Sequence, residues 1–387
     1  MTEGKLNRAT FLRAAAVGGL VAAGAGLGGG AAFAGETSAG GASAGSASGR
    51  RWRAGVTYAT GIRDAPGAPL DRPLWSRALM EQEINTIRHG LRCDSLVVFG
   101  SDVGRLTDTA TAALERGMRV FVQPRLYDHP QPEILDHLAE TARAVERLRR
   151  RCGDRVVLVV GCEFFLFVPG IVPGATFLDR IANLQKMPPT EFPGIWRRLD
   201  EFLRRAAAVA RAHFHGPITY GSAHSEPVDW SLFDIIGVDY YEFFRTDEEY
   251  RKDLARYQEW KKPVVILEFG CCTYTGAPER GGMGWDGVID WEAKPPRVKE
   301  GFVRDERTQA DHIARMLSIF EAEDLIGAHV YTFISPDCPH SPKRELDFDL
   351  TTYSVVKLTR ERYEDPASPY RIEPKESFRA LARYNRR

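Results

Sequence analysis

The sequence lacks the features on which several common functions depend. Its 387 residues carry 52 basic and 52 acidic side chains, so the formal net charge is zero and no basic excess indicates nucleic-acid binding. The six cysteines contain no C-x-x-C pair and no zinc-ribbon spacing. No G-x-S-x-G motif occurs after residue 51, no G-x-x-x-x-G-K-[ST] loop occurs anywhere, and no G-x-G-x-x-G follows the first predicted strand. These absences argue against a zinc ribbon, a serine hydrolase of the elbow type and a nucleotide-binding sheet.

Histidine is also sparse where a metal-dependent barrel hydrolase would need it. Such sites usually gather several His and Asp ligands, often with H-x-H after the first strand. The first predicted strand ends in Val56-Thr57-Tyr58, and the H-x-H of the chain, His213-Phe214-His215, ends a predicted helix. We therefore expect no metal and no other cofactor.

The first 51 residues have the composition of an export signal and a linker. Basic residues precede an Ala/Gly/Val/Leu run, and Ala32-Phe33-Ala34 has the small-x-small pattern of a signal-peptidase site. The segment resembles a twin-arginine signal with Asn7 in place of the first arginine. We expect an export signal at 1–34, a flexible Gly/Ser/Ala linker at 35–51 and one domain at 52–387. A secreted or cell-envelope location follows, by the twin-arginine or the general secretory route, with no membrane anchor after cleavage.

From residue 52 onward, short apolar runs alternate with amphipathic helical patterns. The eight predicted strands are Arg53–Thr57, Ser95–Phe99, Arg119–Val122, Arg155–Val160, Pro217–Tyr220, Phe233–Val238, Val264–Leu267 and Ala328–Phe333. Eight strands at this spacing predict a single (β/α)8 barrel of the α/β class, with long loops after strands 4, 7 and 8.

Two glutamates follow strands at corresponding places. Glu163 follows strand four, and Glu268 follows the apolar run of strand seven. A single Glu after a strand is more often a cap or a surface charge. However, the carboxyl ends of all strands of a closed barrel meet at one mouth. Two carboxylates there suit glycosidic bond cleavage, in which one is protonated to release the leaving oxygen and the other is ionised.

With these glutamates, the chain resembles clan A of the retaining glycoside hydrolases. The resemblance implies Glu163 as acid/base and Glu268 as nucleophile, and E-F-G at 268–270 looks like the nucleophile segment of several such families. D-Y-Y at 239–241 resembles the position that supplies a tyrosine to the nucleophile, which implicates Tyr240 and Tyr241. Cys162 departs from the asparagine usual before the acid/base. Tyr331 and Phe333 stand where strand eight commonly offers tryptophan.

Three further segments resemble a bacterial group labelled "abortive infection protein". They are G-C-E-F-F-L-F…P-G at 161–174, E-F-G-C-C-T-Y-T-G-A at 268–277 and R-G-G-M at 280–283. The label implies a role in phage defence and names no chemistry.

The predicted loops supply candidates for substrate binding, because aromatic rings stack on sugar faces and polar groups bond to hydroxyls. The candidate substrate-binding residues are Tyr58, Arg125, His224, Tyr240, Tyr241, Tyr274, Trp285 and Phe333. Each has a structural alternative: the aromatics can pack loops onto the barrel, Arg125 can form an ion pair, and His224 can be satisfied within its loop. Adjacent Cys271 and Cys272 are either two small apolar residues or a vicinal disulfide.

The sequence therefore predicts an exported retaining glycoside hydrolase that acts on a carbohydrate substrate. The alternative is a barrel that binds carbohydrate or a partner protein with little catalysis, which Cys162 and the missing strand-eight tryptophan favour.

Overall fold

The structure is a computed structural model that describes residues 54–386. The expected export signal at 1–34 and linker at 35–51 lie outside the described residues. Within the described part, no helix combines the length and apolarity needed to span a bilayer.

Eight parallel strands form a closed barrel, as the sequence predicts. In chain order these are β1 (Gly55–Ala59), β2 (Ser95–Gly100), β3 (Arg119–Pro124), β4 (Val156–Cys162), β5 (Ile218–Ala223), β6 (Ile236–Asp239), β7 (Val264–Phe269) and β8 (Gly327–Val330). Each strand pairs with its neighbours in sequence, and β8 closes the barrel on β1 through the pairs Gly55–His329 and Val56–Val330. This is a (β/α)8 architecture.

Helices pack around the outside of this barrel. The longer ones are α1 (Arg77–Asn85), α2 (Val103–Glu115), α3 (Gln131–Cys152), α4 (Phe192–His213), α5 (Asp247–Leu254), α6 (Glu306–Ala322) and α7 (Glu376–Tyr384). In α4, for example, the buried residues Leu199, Phe202 and Ala206 recur at three- and four-residue intervals, so one face of the helix packs on the barrel.

The interior of the barrel is filled by side chains from alternating strand positions. Val97, Phe121, Val157, Val159, Ile235, Val265 and Leu267 form one buried apolar cluster there. The ring of His329 lies edge-on to Phe121, with 5.2 Å between the ring centroids. The barrel is thus a packed core and not a pore.

Two strand ends differ from the prediction in a way that matters for the site. β4 extends two residues further than predicted and ends at Cys162, directly before Glu163. β8 ends at Val330 instead of Phe333, because the chain turns at this point toward the loop that follows. There the amide of Phe333 donates to Thr57 of β1 and the amide of Thr332 donates to Tyr353.

The loops after β4, β7 and β8 are long and carry structure that the sequence analysis did not predict. The β4 loop contains the short helices Phe164–Phe167 and Phe177–Leu184. The β7 loop contains a small hairpin of Ile289–Asp290 with Arg297–Val298, and the β8 loop one of Val356–Arg360 with Tyr370–Pro374.

Candidate active site

Glu163 occupies a tight turn between β4 and the helix that follows it. Its backbone is left-handed (φ +40°), and its amide donates to the carbonyl of Gly221 on β5 at 2.8 Å. The amide of the next residue, Phe164, donates to the hydroxyl of Tyr220 at 2.6 Å, and that hydroxyl donates to Glu226 at 2.8 Å. A left-handed backbone is unfavourable for a non-glycine residue, so these bonds help to hold the turn in place.

Glu268 lies in β7 and has two polar partners. Arg125, which follows β3, forms a buried ion pair with its Oε1, and the hydroxyl of Tyr241 donates to its Oε2 at 3.0 Å. Arg125 is itself fixed, because its Nε donates to Gln123 at 2.6 Å and its guanidinium lies 3.9 Å from the centroid of the Phe99 ring.

The environment of Glu163 differs from that of Glu268. Within residues 54–386, no hydrogen-bond partner reaches its Oε1, although the residue is only 3% exposed. Burial, followed by the charges of Asp239 and Glu268, raises the pKa of Glu163 well above its ordinary value. The site therefore holds one carboxylate with cationic and hydroxyl partners and one that is buried without them.

Asp239 and Cys162 also belong to this site, and the sequence analysis did not list them as site residues. Asp239 ends β6 and is fully buried; its Oδ2 accepts from the thiol of Cys162 at 3.3 Å, and its Oδ1 has no partner in the described chain. The two side chains meet across β5, where Gly221 leaves room: a Cβ at Gly221 would lie 2.9 Å from Asp239 Oδ2. The available signal was that Asp239, like Glu268, directly follows a predicted apolar strand.

One atom from each of Cys162, Asp239 and Glu268 lies within 4.8 Å of the other two, a spacing at which the three could hold a metal ion. No metal ligands were expected from the sequence, because neither the histidine pattern of a metal-dependent barrel hydrolase nor a zinc-ribbon cysteine spacing occurs in it.

Of the predicted substrate-binding residues, the structure brings Arg125 and Tyr241 to the carboxylates. Tyr331, which the sequence analysis noted in place of a tryptophan, is there too. Its ring stacks on that of Phe99, with 5.8 Å between the ring centroids. Burial, followed by the charge of Glu268, raises the pKa of its hydroxyl.

Three other candidates lie in separate contacts, contrary to the prediction. Tyr58 is fully buried on β1 and its hydroxyl donates to Glu83 of α1, so it faces the helix layer. Tyr240 donates to Asp253 of α5 at 2.8 Å. His224 bonds to the same Asp253 at 2.8 Å and is the satisfied loop histidine of the alternative interpretation. Alternation along the strand explains Tyr240, because it points away from the side occupied by Asp239 and Tyr241.

The remaining aromatic candidates pack loops. Tyr274 is 2% exposed and its hydroxyl donates to the carbonyl of Gly284, while the indole of Trp285 donates to the carbonyl of Gly282 at 3.1 Å. Phe333 is fully buried against Tyr58, with 6.3 Å between the ring centroids. The adjacent Cys271 and Cys272 are buried free thiols.

Comparison with solved structures agrees with the barrel fold. The chain aligns with a GH113 β-1,4-mannanase over 87% of its own length and 99% of that chain, with 13% identity and a TM-score of 0.54. It aligns with a β-D-glucuronidase of Dictyoglomus thermophilum and with a β-glucuronidase of an uncultured Clostridium species over 87% of its length and 50% of each of those chains. The identities are 14% and 11%, and the TM-scores are 0.51 and 0.50. The chain thus spans half the length of these glucuronidases.

The chain therefore shares the (β/α)8 barrel fold of these structures. No protein-family model matches the sequence, and no curated protein matches it. None of the comparisons supports the grouping with the "abortive infection protein" label.

Proposed function

We propose that the protein is a glycoside hydrolase that cleaves its substrate with retention of anomeric configuration, with Glu268 as nucleophile and Glu163 as acid/base. The observation that carries this proposal is the contrast between the two carboxyl groups. Glu268 is paired with Arg125 and bonded by Tyr241, whereas Glu163 is buried with no partner for Oε1 in the described chain. This reaction requires two carboxyl groups in different roles, and burial raises the pKa of Glu163 well above its ordinary value, as an acid needs.

The roles follow from these surroundings. The ionised Glu268 attacks the anomeric carbon while Glu163 gives its proton to the leaving oxygen, so the glycosidic bond breaks and a glycosyl–enzyme ester forms. Glu163, now ionised, takes a proton from water, and the resulting hydroxide displaces Glu268 from the sugar. Arg125 and Tyr241 fix the orientation of Glu268 for the attack, since each contacts one of its two oxygens.

A second candidate function is binding without efficient turnover. Glu163 is 3% exposed and Glu268 is 4% exposed, so a sugar ring reaches them only if the surrounding loops move. The β7 loop contacts this region through Tyr353: the carbonyl of Gly281 accepts from the hydroxyl of Tyr353, whose ring centroid lies 5.7 Å from that of Tyr241.

Export through the segment at 1–34 is also part of the proposal, and cell fractionation with an antibody against the mature domain tests it.

The experiment for catalysis is turnover of a panel of aryl α- and β-glycosides by the wild type, Glu163→Ala and Glu268→Ala. We expect Glu268→Ala to lose turnover. We expect Glu163→Ala to retain it on substrates with good leaving groups and to gain rate with azide, because the azide anion attacks the glycosyl–enzyme ester directly and needs no base. Anomer analysis of the first product by nuclear magnetic resonance separates retention from inversion.

Glu242→Gln is the matched control. Glu242 follows β6, and its Oε1 lies 3.4 Å from Nδ1 of His224, outside the carboxylate site. Unchanged turnover in Glu268→Ala would contradict the proposed nucleophile. Glycan binding by the wild type that is equal in Glu268→Gln, with no product formed, would favour the binding function.

A further inference from the structure

The thiol of Cys162 and the carboxyl groups of Asp239 and Glu268 form a cluster of possible metal ligands. One ligand atom from each lies within 4.8 Å of the other two, and the Cys162 Sγ to Asp239 Oδ2 distance is 3.3 Å. Zinc binds thiolate sulfur at about 2.3 Å and carboxylate oxygen at about 2.0–2.2 Å in tetrahedral geometry, which places sulfur and oxygen about 3.5 Å apart. The Cys162–Asp239 pair already has nearly this separation.

A second observation comes from the oxygens that have no partner. Oδ1 of Asp239 and Oε1 of Glu163 are buried without a hydrogen-bond partner in residues 54–386, and their residues are 0% and 3% exposed. Buried polar atoms are normally satisfied, because an unpaired one costs about 1–3 kcal/mol.

Charge and size both favour a small cation over other ligands. The cluster combines two carboxyl groups with one thiol, and Arg125 forms an ion pair with one of the carboxyl groups, that of Glu268. The ligand-bearing residues are at most 4% exposed, so a sugar ring does not reach them without loop movement. A site with one sulfur and several carboxylate oxygens matches a borderline-soft divalent ion better than Mg²⁺ or Ca²⁺, which prefer oxygen alone.

We propose that Cys162, Asp239 and Glu268 bind a divalent cation of the Zn²⁺ class. We propose also that the bound ion blocks the active site, which rests on the proposed role of Glu268 as nucleophile. The Cys162 thiol loses its proton to solvent as the sulfur–metal bond forms. The ion either displaces Arg125 from the Glu268 carboxylate or binds that carboxylate together with Arg125. In both cases the carboxylate is no longer free to attack a sugar. The hydrolases that the chain resembles usually have asparagine directly before the acid/base. This chain has Cys162 at that position, and Cys162 supplies the thiolate ligand.

The test uses Co²⁺ as the probe, because a cobalt–thiolate bond has a charge-transfer absorption that cobalt–oxygen bonds lack. We expect the wild-type chain to bind one equivalent with this absorption. We expect Cys162→Ser to lose the absorption and at least about tenfold in affinity, and Asp239→Asn to keep the absorption with a similar loss of affinity. Cys338→Ser is the matched control, because Cys338 is also a buried thiol beside an acid, with its Sγ 3.7 Å from Asp337.

Three results would overturn the proposal: no stoichiometric binding by the wild type, a thiolate absorption that survives in Cys162→Ser, or one that disappears in Cys338→Ser. Circular dichroism shows whether each variant is folded. If Cys162→Ser does not fold, X-ray absorption of the cobalt-loaded wild type decides, since a shell without sulfur contradicts the site. These are binding measurements, so they stand even if no glycoside is hydrolysed.

Discussion

Substitution of Tyr241 tests the role of Glu268, and substitution of the adjacent Tyr240 provides the control. Tyr241 donates to Glu268 at 3.0 Å, and Tyr240 donates to Asp253 at 2.8 Å. A hydrogen bond to a charged group contributes about 1.5–3 kcal/mol. We expect Tyr241→Phe to lower kcat/KM by about 10- to 100-fold, because the carboxylate loses one of its two fixed partners.

Tyr240→Phe removes the same atom from the adjacent residue and should leave kcat/KM within about twofold of the wild type, with some loss of thermal stability. Steady-state kinetics on the most reactive aryl glycoside measures both variants. Equal losses in the two variants would mean that the effect is structural and that Tyr241 does not act on the nucleophile.

Single residues also show how far the sequence specifies this site. Glu163 and Glu268 were identifiable because each follows an apolar run, and strand order alone brings them to one mouth. The contact between Cys162 and Asp239 could not be predicted, because it crosses an intervening strand and depends on the missing side chain of Gly221. Tyr58 was misassigned because a strand position does not reveal which face the side chain occupies until the start of the strand is known to one residue.

At the scale of elements, β5 works as a spacer between β4 and β6. Gly221 pairs with Cys162 on one side and with Gly237 on the other. An added Cβ at Gly221 would lie 2.9 Å from Asp239 Oδ2 and 3.0 Å from Gln123 Nε2, and Gln123 holds Arg125. We expect Gly221→Ala to displace both groups, to reduce kcat/KM by more than tenfold and to destabilise the fold by about 1–3 kcal/mol.

Gly194→Ala is the contrasting substitution. Gly194 lies in α4, where an added Cβ would contact the flexible end of the Arg198 side chain, with 3.5 Å between the Cβ and Nη1. Alanine is more favourable than glycine in a helix by up to about 1 kcal/mol. It should keep full activity and gain stability. Denaturant unfolding and kinetics on the two variants measure the contrast. A Gly221→Ala protein with unchanged activity would show that β5 does not position Asp239 and Arg125.

At the scale of the whole molecule, the barrel was predictable and its loops were not. The strands are short apolar runs at regular spacing, and burial on both faces makes such runs conspicuous. The strands of the hairpins in the β7 and β8 loops are only two to five residues long, and contacts distant in sequence hold these loops together. For example, Arg304 of the β7 loop bonds Asp347 and Asp349 of the β8 loop at 3.0 and 2.8 Å. Patterns within one segment do not contain such contacts, so the enclosure of the carboxylates could not be foreseen.

The stability of the whole barrel should depend on pH through His329, which is fully buried inside it. Its Nδ1 donates to the carbonyl of Ile266 at 2.9 Å, so its Nε2 accepts from the hydroxyl of Ser95 at 2.7 Å, and the ring is neutral. Burial lowers the pKa of His329 from 6.5 to about 4. As the pH falls from 6.5 toward 4, the unfolded chain binds a proton that the folded chain does not, so the free energy of unfolding decreases. A shift of this size corresponds to about 3 kcal/mol.

We expect the free energy of unfolding of the wild type, measured with urea at pH 4, 5, 6 and 7, to fall more steeply toward acid than that of His329→Gln, because glutamine can replace both hydrogen bonds and does not titrate. His312, whose pKa burial also lowers to about 4, is present in both proteins, so the difference between the two curves isolates the histidine inside the barrel. Parallel curves would contradict the neutral, buried His329. A difference that grows steadily below pH 6.5 would show that protonation of a single ring inside the barrel contributes to its unfolding in acid.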